Sequence, residues 1–414
     1  MATLLARPLS LRGPLRPIDS PHLHTVSRTF SSTYRLSKQH RAPAAYYRGG
    51  TSRALMFKRS SLPAPAQWPA IFLSALGSPD VHGRQLDGLG GGISSLSKVC
   101  VVGSSTAQGG AGAGAGADVD YTFAAVGVAD SEVDFSSNCG NMTAAVGPFA
   151  VDQGIVPRPQ DGWAEVLIRN TNTGKRVRAR FEVVDGEAVA EGRFGIEGVS
   201  GTGARIELAF LEPGGAKTGR MLPTGKVRDV LDGVEGTCVD VGNPCVFVRA
   251  EDLGVSGSMS AEEIQEHASL RERLESIRRQ AAVAMGVVKA GEKVPGSIPK
   301  IAMVSRPHRH VLSNGTIMEE DACDLVIRAI SVGQPHKACP VTVGLALATA
   351  AKLEGSIVQA CVSDEPVDSD GVTLGHNSGR LLVGSVFDQD GNVKEATVFS
   401  TARRLMDGTV YWKG

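Results

Sequence analysis

The sequence predicts an α+β protein in which two related, barrel-like β-rich halves each surround one central helix. Glycine contributes 50 of the 414 residues and recurs beside short apolar runs, which is typical of many short strands joined by tight turns. A helix of small residues is predicted after Cys139, and the segment 343–351, which follows Cys339, is apolar on nearly every side and therefore belongs in a core. The two cysteines lie about 200 residues apart, which indicates two structurally similar halves.

The first half begins with a predicted hairpin at 44–57, because two β-like runs flank a polar glycine turn. A short helix follows at 68–76, and a glycine-rich loop at 86–98 leads into the next strand. The other predicted strands of this half are 99–102, 121–128, 163–170, 175–182 and 205–210. We assign this half to a domain at 42–235.

The second half is assigned to a domain at 236–414, whose last strands can return to the first domain. Ser260 and Glu263 form a capping-box pattern, and the leucine and isoleucine spacing behind it predicts one amphipathic helix at 261–285. The predicted strands of this half are 238–241, 245–249, 300–305 and 324–331.

The first 41 residues differ in composition from the rest of the chain. Arginines alternate there with serine, threonine and leucine, and Asp19 is the single acidic residue, which is typical of a mitochondrial transit peptide. We therefore expect a disordered leader at 1–41 and a protein of the mitochondrial matrix. The alternative is a basic tail on a cytoplasmic protein.

Charge and cysteine content restrict the class of protein. Lysine plus arginine and aspartate plus glutamate each number 43, so nothing in the charge balance points to nucleic acid. No apolar run approaches the roughly 20 residues that a membrane span needs. The seven cysteines are dispersed without metal-type spacing, which favours a reducing compartment and argues against a zinc site.

A candidate catalytic group stands in the run Asn138-Cys139-Gly140-Asn141. Backbone N–H groups at a helix N-terminus favour an anionic ligand and stabilise a thiolate, so a reactive sulfur and a carboxylate socket can arise together. The alternative is a buried structural cysteine at a packed turn.

Five motifs in a fixed order resemble one family. They are Arg48-Gly49-Gly50-Thr51-Ser52, the loop ending in Ser94-Ser95-Leu96-Ser97-Lys98, Asn138-Cys139-Gly140-Asn141, Asp240-Val241-Gly242-Asn243-Pro244 and His336-Lys337-Ala338. The chain resembles the PrpF family of methylaconitate and methylitaconate isomerases, whose fold is related to that of diaminopimelate epimerase. It is also similar to oxalomesaconate tautomerase and fungal aconitate isomerase. The resemblance implies two pseudo-symmetric halves, no cofactor, a small unsaturated polycarboxylate as ligand and the methylcitrate cycle as a setting, and it leaves a homodimer open.

The resemblance also implies a site. The lysine that the isomerases use together with the first cysteine matches Lys98, so Lys98 and Cys139 are the candidate catalytic residues. Pro340 stands where the epimerases carry a second cysteine and Cys339 comes one residue early, so a two-thiol mechanism is not expected. Hydroxyls and helix-start amides bind carboxylates, and the candidates for this role are Thr51, Ser52, Ser94, Ser95, Ser97, Gly140, Asn141, Asn243 and His336.

We therefore expect a cofactor-independent isomerase that moves a proton and a double bond in an unsaturated di- or tricarboxylic acid. Two alternatives stay open at this point. A cysteine hydrolase would pair Cys139 with His308 or His336, whereas His310 is expected at the surface. A non-catalytic partner of an aconitase-like dehydratase would not turn over the acid by itself.

Overall fold

The computed structural model describes residues 38–106, 116–135, 138–296, 298–331 and 333–413. The leader predicted at 1–41 lies outside the described residues except for its last four positions, and the first strand already begins at His40. Residues 39–414 cluster as one compact unit. Within the described ranges, no helix combines the length and the apolar character that a membrane crossing requires.

The described residues form five α-helices and a large sheet. The helices are α1 (Trp68–Leu76), α2 (Gly140–Asp152), α3 (Ala261–Glu266), α4 (Ala268–Ala284) and α5 (Val341–Lys352). The strands are β1 (His40–Gly49), β2 (Ser52–Lys58), β3 (Lys98–Ser104), β4 (Val119–Val126), β5 (Val133–Asp134), β6 (Gly162–Asn170), β7 (Arg176–Val184), β8 (Glu187–Ala188), β9 (Ile206–Leu211), β10 (Asp229–Leu231), β11 (Val234–Val241), β12 (Asn243–Arg249), β13 (Lys300–Ser305), β14 (His310–Val311), β15 (Ile317–Met318), β16 (Leu325–Ser331), β17 (Gln334–Pro335), β18 (Val372–His376), β19 (Gly379–Phe387), β20 (Val393–Ser400) and β21 (Ala402–Trp412).

The strands fall into two groups with the same pairing order. In the first lobe, residues 40–211, β1–β2 is antiparallel, β2–β3 parallel, β3–β4 antiparallel, β4–β6 parallel and β6–β7 antiparallel. In the second lobe, residues 234–400, the pairs β11–β12, β12–β13, β13–β16, β16–β18 and β18–β19 repeat that order. The helix α2 enters between β5 and β6, and α5 enters between β17 and β18. Each lobe is thus built on one plan.

Each lobe surrounds its own helix. The side chains of α2 from Met142 to Val151 are buried, and the helix packs against β1 to β3 and β6 to β9. The residues of α5 from Val343 to Ala350 are also buried, and that helix packs against β11, β12 and β18 to β20. An α-helix that buries its whole circumference needs small and apolar residues on every side, and both segments supply them. The predicted fold class is confirmed.

One pairing joins the lobes, and a second returns the last strand to the first lobe. The last strand, β21, runs antiparallel to β1 from His40↔Trp412 to Gly49↔Ala402, and β20 pairs with β9. In the described part of the chain, nineteen strands therefore belong to one hydrogen-bonded sheet, and β14 with β15 forms a separate pair. The domain boundary at 235/236 stays a prediction.

The prediction of one continuous helix at 261–285 is wrong. It is broken at His267, whose backbone leaves the helical region with φ −84° and ψ 82°. The His267 side chain accepts a hydrogen bond from the backbone N–H of Leu270 and so caps α4, while the capping box of Ser260 and Glu263 begins α3 as expected. The apolar spacing continues across the break, which is why the sequence pattern concealed it.

Candidate active site

The start of α2 is held directly against the hairpin turn that joins β1 and β2. A Cβ atom placed on Gly49 would lie 2.7 Å from the carbonyl oxygen of Asn141, and one on Gly50 would lie 2.5 Å from Asn141 Oδ1. Gly50 also has φ +52°, a region that glycine adopts at little cost. The two glycines are therefore required for the close approach of the turn to the helix.

Two polar side chains fix this contact. Asn141 Nδ2 donates to Thr51 Oγ1 at 3.0 Å, and Arg48 Nη1 donates to the carbonyl oxygens of Gly50 at 3.1 Å and Thr401 at 3.0 Å. Thr51 is exposed and Asn141 is half-buried. Arg48, Thr51 and Asn141 thus position the glycine turn over the first turn of α2.

Lys98 and Cys139 meet at this place. Cys139 is the buried residue immediately before α2, and Lys98 is the half-buried first residue of β3. Lys98 Nζ donates to Cys139 Sγ at 3.2 Å and to Ser52 Oγ at 3.2 Å. Ser52 is buried at the start of β2, which runs parallel to β3. The structure therefore brings together both predicted catalytic residues and one predicted binding residue.

The lysine also rests on an aromatic face. Lys98 Nζ lies 5.6 Å from the centroid of the Phe123 ring, within the range of a cation–π contact. Phe123 belongs to β4, the strand that pairs with β3 on the side away from β2. Sequence analysis did not single out Phe123, because no local motif connects it to Lys98.

A second helix N-terminus reaches the same place. A Cβ atom on Gly140 would lie 3.5 Å from the Val341 side chain, so the first residues of α2 and α5 are neighbours. Both helices direct unpaired backbone N–H groups and the positive ends of their dipoles toward this junction. Two converging N-termini form a favourable environment for an anion with several carboxylates.

The second cysteine does not face the first. Pro340 precedes α5 in the position that Cys139 occupies before α2. The Cys339 thiol is buried, with its Sγ 3.6 Å from the Pro340 carbonyl oxygen, and burial raises its pKa well above the ordinary value. That a two-thiol mechanism does not operate stays a prediction.

The serines of the glycine-rich loop have different positions. Ser94 is exposed and Ser95 is half-buried in a short 3-10 turn before Lys98. Ser97 is buried, and its hydroxyl lies 2.7 Å from Gln85 Oε1 and 2.8 Å from the Ile93 carbonyl oxygen. The expectation that Ser97 contacts a substrate is therefore not supported, because its hydroxyl is used to hold the loop.

Asn243 is half-buried at the first position of β12, and the Asp240 carboxylate before it accepts hydrogen bonds from the loop residues Lys217 and Thr218. His336 is exposed, and its Nδ1 contacts the backbone of Ala338, at 2.7 Å from the carbonyl oxygen and 3.0 Å from the amide nitrogen. The histidine thus shapes the turn before α5.

The other histidines do not form a dyad with the thiol. The rings of His308 and His310 lie against each other in a tilted arrangement, with centroids 5.4 Å apart, and His310 is buried rather than at the surface as expected. Burial lowers the pKa of His310. Among the described residues, the side chain hydrogen-bonded to Cys139 is Lys98 and not a histidine. This contact favours proton transfer over the cysteine-hydrolase alternative.

The residues that hold Asn138 lie outside the motifs singled out in the sequence. Asn138 Oδ1 accepts from Asn170 Nδ2 at 3.3 Å, and Asn170 Nδ2 also donates to Asn172 Oδ1 at 3.0 Å. Asn172 Nδ2 in turn donates to the Phe123 and Phe135 carbonyl oxygens. The available signal was the run of asparagine and threonine at 170–173, which is richer in polar side chains than a plain turn between two strands requires.

No group of three or more histidine, cysteine, aspartate or glutamate side chains with the proximity of a metal site occurs in the described ranges. The fold and the site define the class: a two-lobed protein with a hydrogen-bonded lysine–thiol pair at the meeting point of two helix N-termini. The family model described as PrpF protein matches residues 39–413. The chain belongs to the PrpF family.

The relatives within this family are isomerases and tautomerases. The chain is 40% identical over 386 residues to the 3-methylitaconate isomerase of Eubacterium barkeri, which covers 91% of this chain and 98% of that protein. It is 35% identical to the 2-methyl-aconitate isomerase of Shewanella oneidensis, with 90% and 97% covered. It is 36% identical to the 4-oxalomesaconate tautomerase of Pseudomonas putida, with 90% and 96% covered. A crystal structure of methylitaconate-delta-isomerase matches with a TM-score of 0.83 at 39% identity, covering 91% of this chain and 96% of that one.

Proposed function

We propose that this protein isomerises an unsaturated di- or tricarboxylic acid of the aconitate, methylaconitate or methylitaconate type, by moving one proton and one double bond. The observation that carries the proposal is the contact of Lys98 Nζ with Cys139 Sγ at 3.2 Å beside two helix N-termini. The names of the relatives support the reaction class and the kind of substrate.

The reaction requires one proton to leave carbon and one to return. A base removes a proton from a carbon next to a carboxylate or along the allyl system, and the electron pair spreads through the double bond onto the carboxylate oxygens. The same proton, or one from solvent, is then added at a different carbon, so that the acid keeps its formula. Lys98 is the proton-transfer base and Cys139 its partner.

The charge that develops on the carboxylate needs fixed donors. The backbone N–H groups of Gly140 and Asn141 are at the start of α2, where an oxyanion is stabilised without rearrangement of the protein. Thr51 and Ser95 lie in the turns around the pair and provide further hydroxyls. A site of this kind stabilises the additional negative charge of the delocalised intermediate more than the carboxylates of the bound substrate, which is what accelerates the reaction.

The test is proton NMR in heavy water with purified protein and a set of acids: cis-aconitate, trans-aconitate, methylaconitates, methylitaconate and oxalomesaconate. The wild type should incorporate deuterium into at least one acid and convert it. Cys139→Ser and Lys98→Ala should each lower the exchange rate by at least about a hundredfold, while Cys361→Ser, a buried cysteine of the second lobe, should exchange at the wild-type rate. Wild-type exchange in both pair variants would falsify the assignment.

The same experiment distinguishes the two alternatives. Conversion by the purified protein alone contradicts a role limited to assisting a dehydratase. A cysteine hydrolase would instead form an acyl adduct on Cys139 with a thiol-directed ester, detectable by intact-mass spectrometry. The isomerase predicts no such adduct during turnover.

We also propose import into the mitochondrial matrix and leave the cytoplasm as the alternative. The arginine-rich composition of residues 1–41 supports import, and the family match begins only at residue 39. The named relatives are bacterial, which argues against import. Import of the full chain into isolated mitochondria, followed by N-terminal sequencing of the product, tests it. Retention of the whole leader outside the organelle would contradict it.

The homodimer stays a prediction, and light scattering after gel filtration measures it.

A further inference from the structure

The repeat of the two lobes gives Lys98 a counterpart. Lys98 is the first residue of β3, which runs parallel to β2, and Lys300 is the first residue of β13, which runs parallel to β12. These strand pairs occupy the same place in the pairing order of the two lobes. The topology alone therefore places a lysine at equivalent positions in both lobes.

The registers agree with this equivalence. The pair Leu55↔Val99 sets Lys98 beside the residue two positions after Ser52, where β2 starts. The pair Cys245↔Lys300 sets Lys300 beside the residue two positions after Asn243, where β12 starts. Ser52 and Asn243 are thus counterparts. Each is the first residue of the strand that runs parallel to the strand of the lysine, at the end where the lysine lies.

Both lysines reach the helix N-terminus of their own lobe. Lys98 Nζ contacts Cys139, the residue before α2, and Lys300 Nζ donates to Thr342 Oγ1 at 3.4 Å in the first turn of α5. Because Gly140 and Val341 are in contact, these two first turns are adjacent. Lys300 is half-buried, as Lys98 is. Two amines therefore flank one junction.

The two lysines differ in their chemical partners. The residue before α2 is Cys139, whereas the residue before α5 is Pro340, which has no proton to exchange. The nearby Cys339 thiol is buried, and burial raises its pKa. Lys300 therefore lacks the partner that would make it a second proton-transfer group, and its long hydrogen bond to Thr342 leaves its charge to be matched.

A substrate with two or three carboxylates supplies that charge. We propose that Lys300, together with Asn243, binds a carboxylate of the substrate remote from the reacting carbon and so sets the preference for tricarboxylates over dicarboxylates. This inference rests on the proposed function of the site. An ammonium group held near a helix N-terminus binds a carboxylate through a charge-assisted hydrogen bond, which is stronger than a bond between neutral groups.

The test compares Lys300→Met, which keeps the length of the side chain without its charge, with Lys300→Arg, which restores the charge. Lys352→Met is the control, because Lys352 is an exposed lysine of the same lobe, at the opposite end of α5, whose Nζ donates to the Ser385 carbonyl oxygen. Thermal melts establish that each variant is folded, and Lys300→Arg keeps the test valid if the methionine variant is not.

For the acid that the wild type converts, Lys300→Met should raise the KM at least about tenfold and leave kcat within about twofold. The ratio of kcat/KM for aconitate to that for methylitaconate should fall by a similar factor, and Lys300→Arg should recover most of the loss. Titration calorimetry with tricarballylate, a saturated tricarboxylate that cannot isomerise, should show about tenfold weaker binding to Lys300→Met. Lys352→Met should behave as the wild type in each measurement.

Unchanged KM and unchanged tricarballylate binding in Lys300→Met would overturn the inference and leave the proposed function intact. If the wild type converts and exchanges none of the acids, the proposed function fails, and the titration still decides on Lys300. A wild type that binds no tricarballylate would overturn the assignment of Lys300 as well.

Discussion

Ser52 holds the reactive lysine in place. Its buried hydroxyl lies 3.2 Å from Lys98 Nζ, and the other described hydrogen-bond contact of that amine is Cys139 Sγ. Ser52→Ala removes one of two anchors, and we expect kcat/KM to fall about tenfold, the equivalent of about 1.4 kcal/mol, with about 1 kcal/mol lost in unfolding free energy.

Steady-state kinetics and urea unfolding measure these two effects. Ser385→Ala is the control, because Ser385 is also a buried serine but donates to the Ala348 carbonyl oxygen inside the second lobe. It should lose a similar unfolding free energy and keep its kcat/KM. Equal kinetic losses in both variants would mean that Ser52 acts only through stability.

His376 makes the stability of the protein depend on pH. Burial, with a smaller contribution from the Arg328 guanidinium, lowers the pKa of His376 from 6.5 to about 4. Below pH 6.5 the unfolded chain therefore binds a proton at His376 that the folded chain does not bind. The free energy of unfolding is fully retained above pH 6.5 and decreases as the pH falls toward 4. Between pH 7.5 and 5 the loss from this residue is about 2 kcal/mol.

Urea unfolding of the wild type and of His376→Asn at both pH values tests this prediction. In the wild type, the Ser378 backbone N–H donates a hydrogen bond to His376 Nδ1, and the asparagine side chain keeps an acceptor for it. The variant should lose about 2 kcal/mol less than the wild type over this pH range. Parallel losses in the two proteins would show that His376 is not the group that titrates.

At the scale of single residues, chemistry was easier to predict than geometry. The resemblance to the PrpF family, carried by five motifs in a fixed order, singled out Lys98 and Cys139, and the structure places their side chains in contact. The sequence could not distinguish Ser52, whose hydroxyl contacts Lys98, from Ser97, whose hydroxyl is used by Gln85 and Ile93. That difference depends on which side of the loop faces the core, and no local pattern records it.

At the scale of elements, the contact between the β1–β2 turn and α2 determines where Cys139 stands. A Cβ on Gly49 would lie 2.7 Å from the Asn141 carbonyl oxygen and 3.1 Å from the Met142 Cα, so Gly49→Ala forces the turn away from the helix. We expect Gly49→Ala to lose about 2 kcal/mol of unfolding free energy. Its kcat should fall by a larger fraction than its unfolding free energy does, because Cys139 stands at the start of α2.

Gly408→Ala is the control for this prediction. Gly408 lies in β21, the strand paired with β1, and a Cβ there would meet nothing within 4 Å. Its unfolding free energy should change by less than about 0.5 kcal/mol. Denaturant unfolding and kinetics of both variants are the measurement, and equal effects would show that close packing at Gly49 is not the cause.

Local signals were sufficient for some elements and not for others. The predicted helix at 68–76 agrees with α1, and the hairpin at 44–57 agrees with β1 and β2, because a turn or a cap marks their ends. The break at His267 was missed, since a histidine that caps a helix with its own side chain leaves the apolar period intact. Caps of unusual residue type therefore limit such predictions.

At the scale of the whole molecule, the spacing of two similar helices was enough to predict two similar halves. The strand pairing was not predictable, because the parallel pairs β2–β3 and β12–β13 join residues separated by about 40 to 60 positions of intervening chain. For the same reason, the equivalence of Lys98 and Lys300 became visible only when the registers of both lobes were known. The two lysines stand in similar short sequences, Ser95-Leu96-Ser97-Lys98-Val99 and Ser297-Ile298-Pro299-Lys300-Ile301, but so short a likeness does not by itself establish equivalent positions.

The pairings of β20 and β21 predict that the first lobe does not fold alone. A fragment 42–235 lacks both strands, so β1 would keep only β2 and β9 only β7, and each would become an exposed edge strand. An exposed edge loses its hydrogen bonds and promotes aggregation. We expect this fragment to give a poorly dispersed NMR spectrum without a cooperative unfolding transition, and co-expression with 236–414 to restore soluble, active protein.

In the full chain, tryptophan fluorescence and far-UV circular dichroism should report one coincident urea transition. A cooperatively unfolding 42–235 fragment would show instead that the first lobe is an independent domain and that the pairings of β21 and β20 are dispensable for its folding.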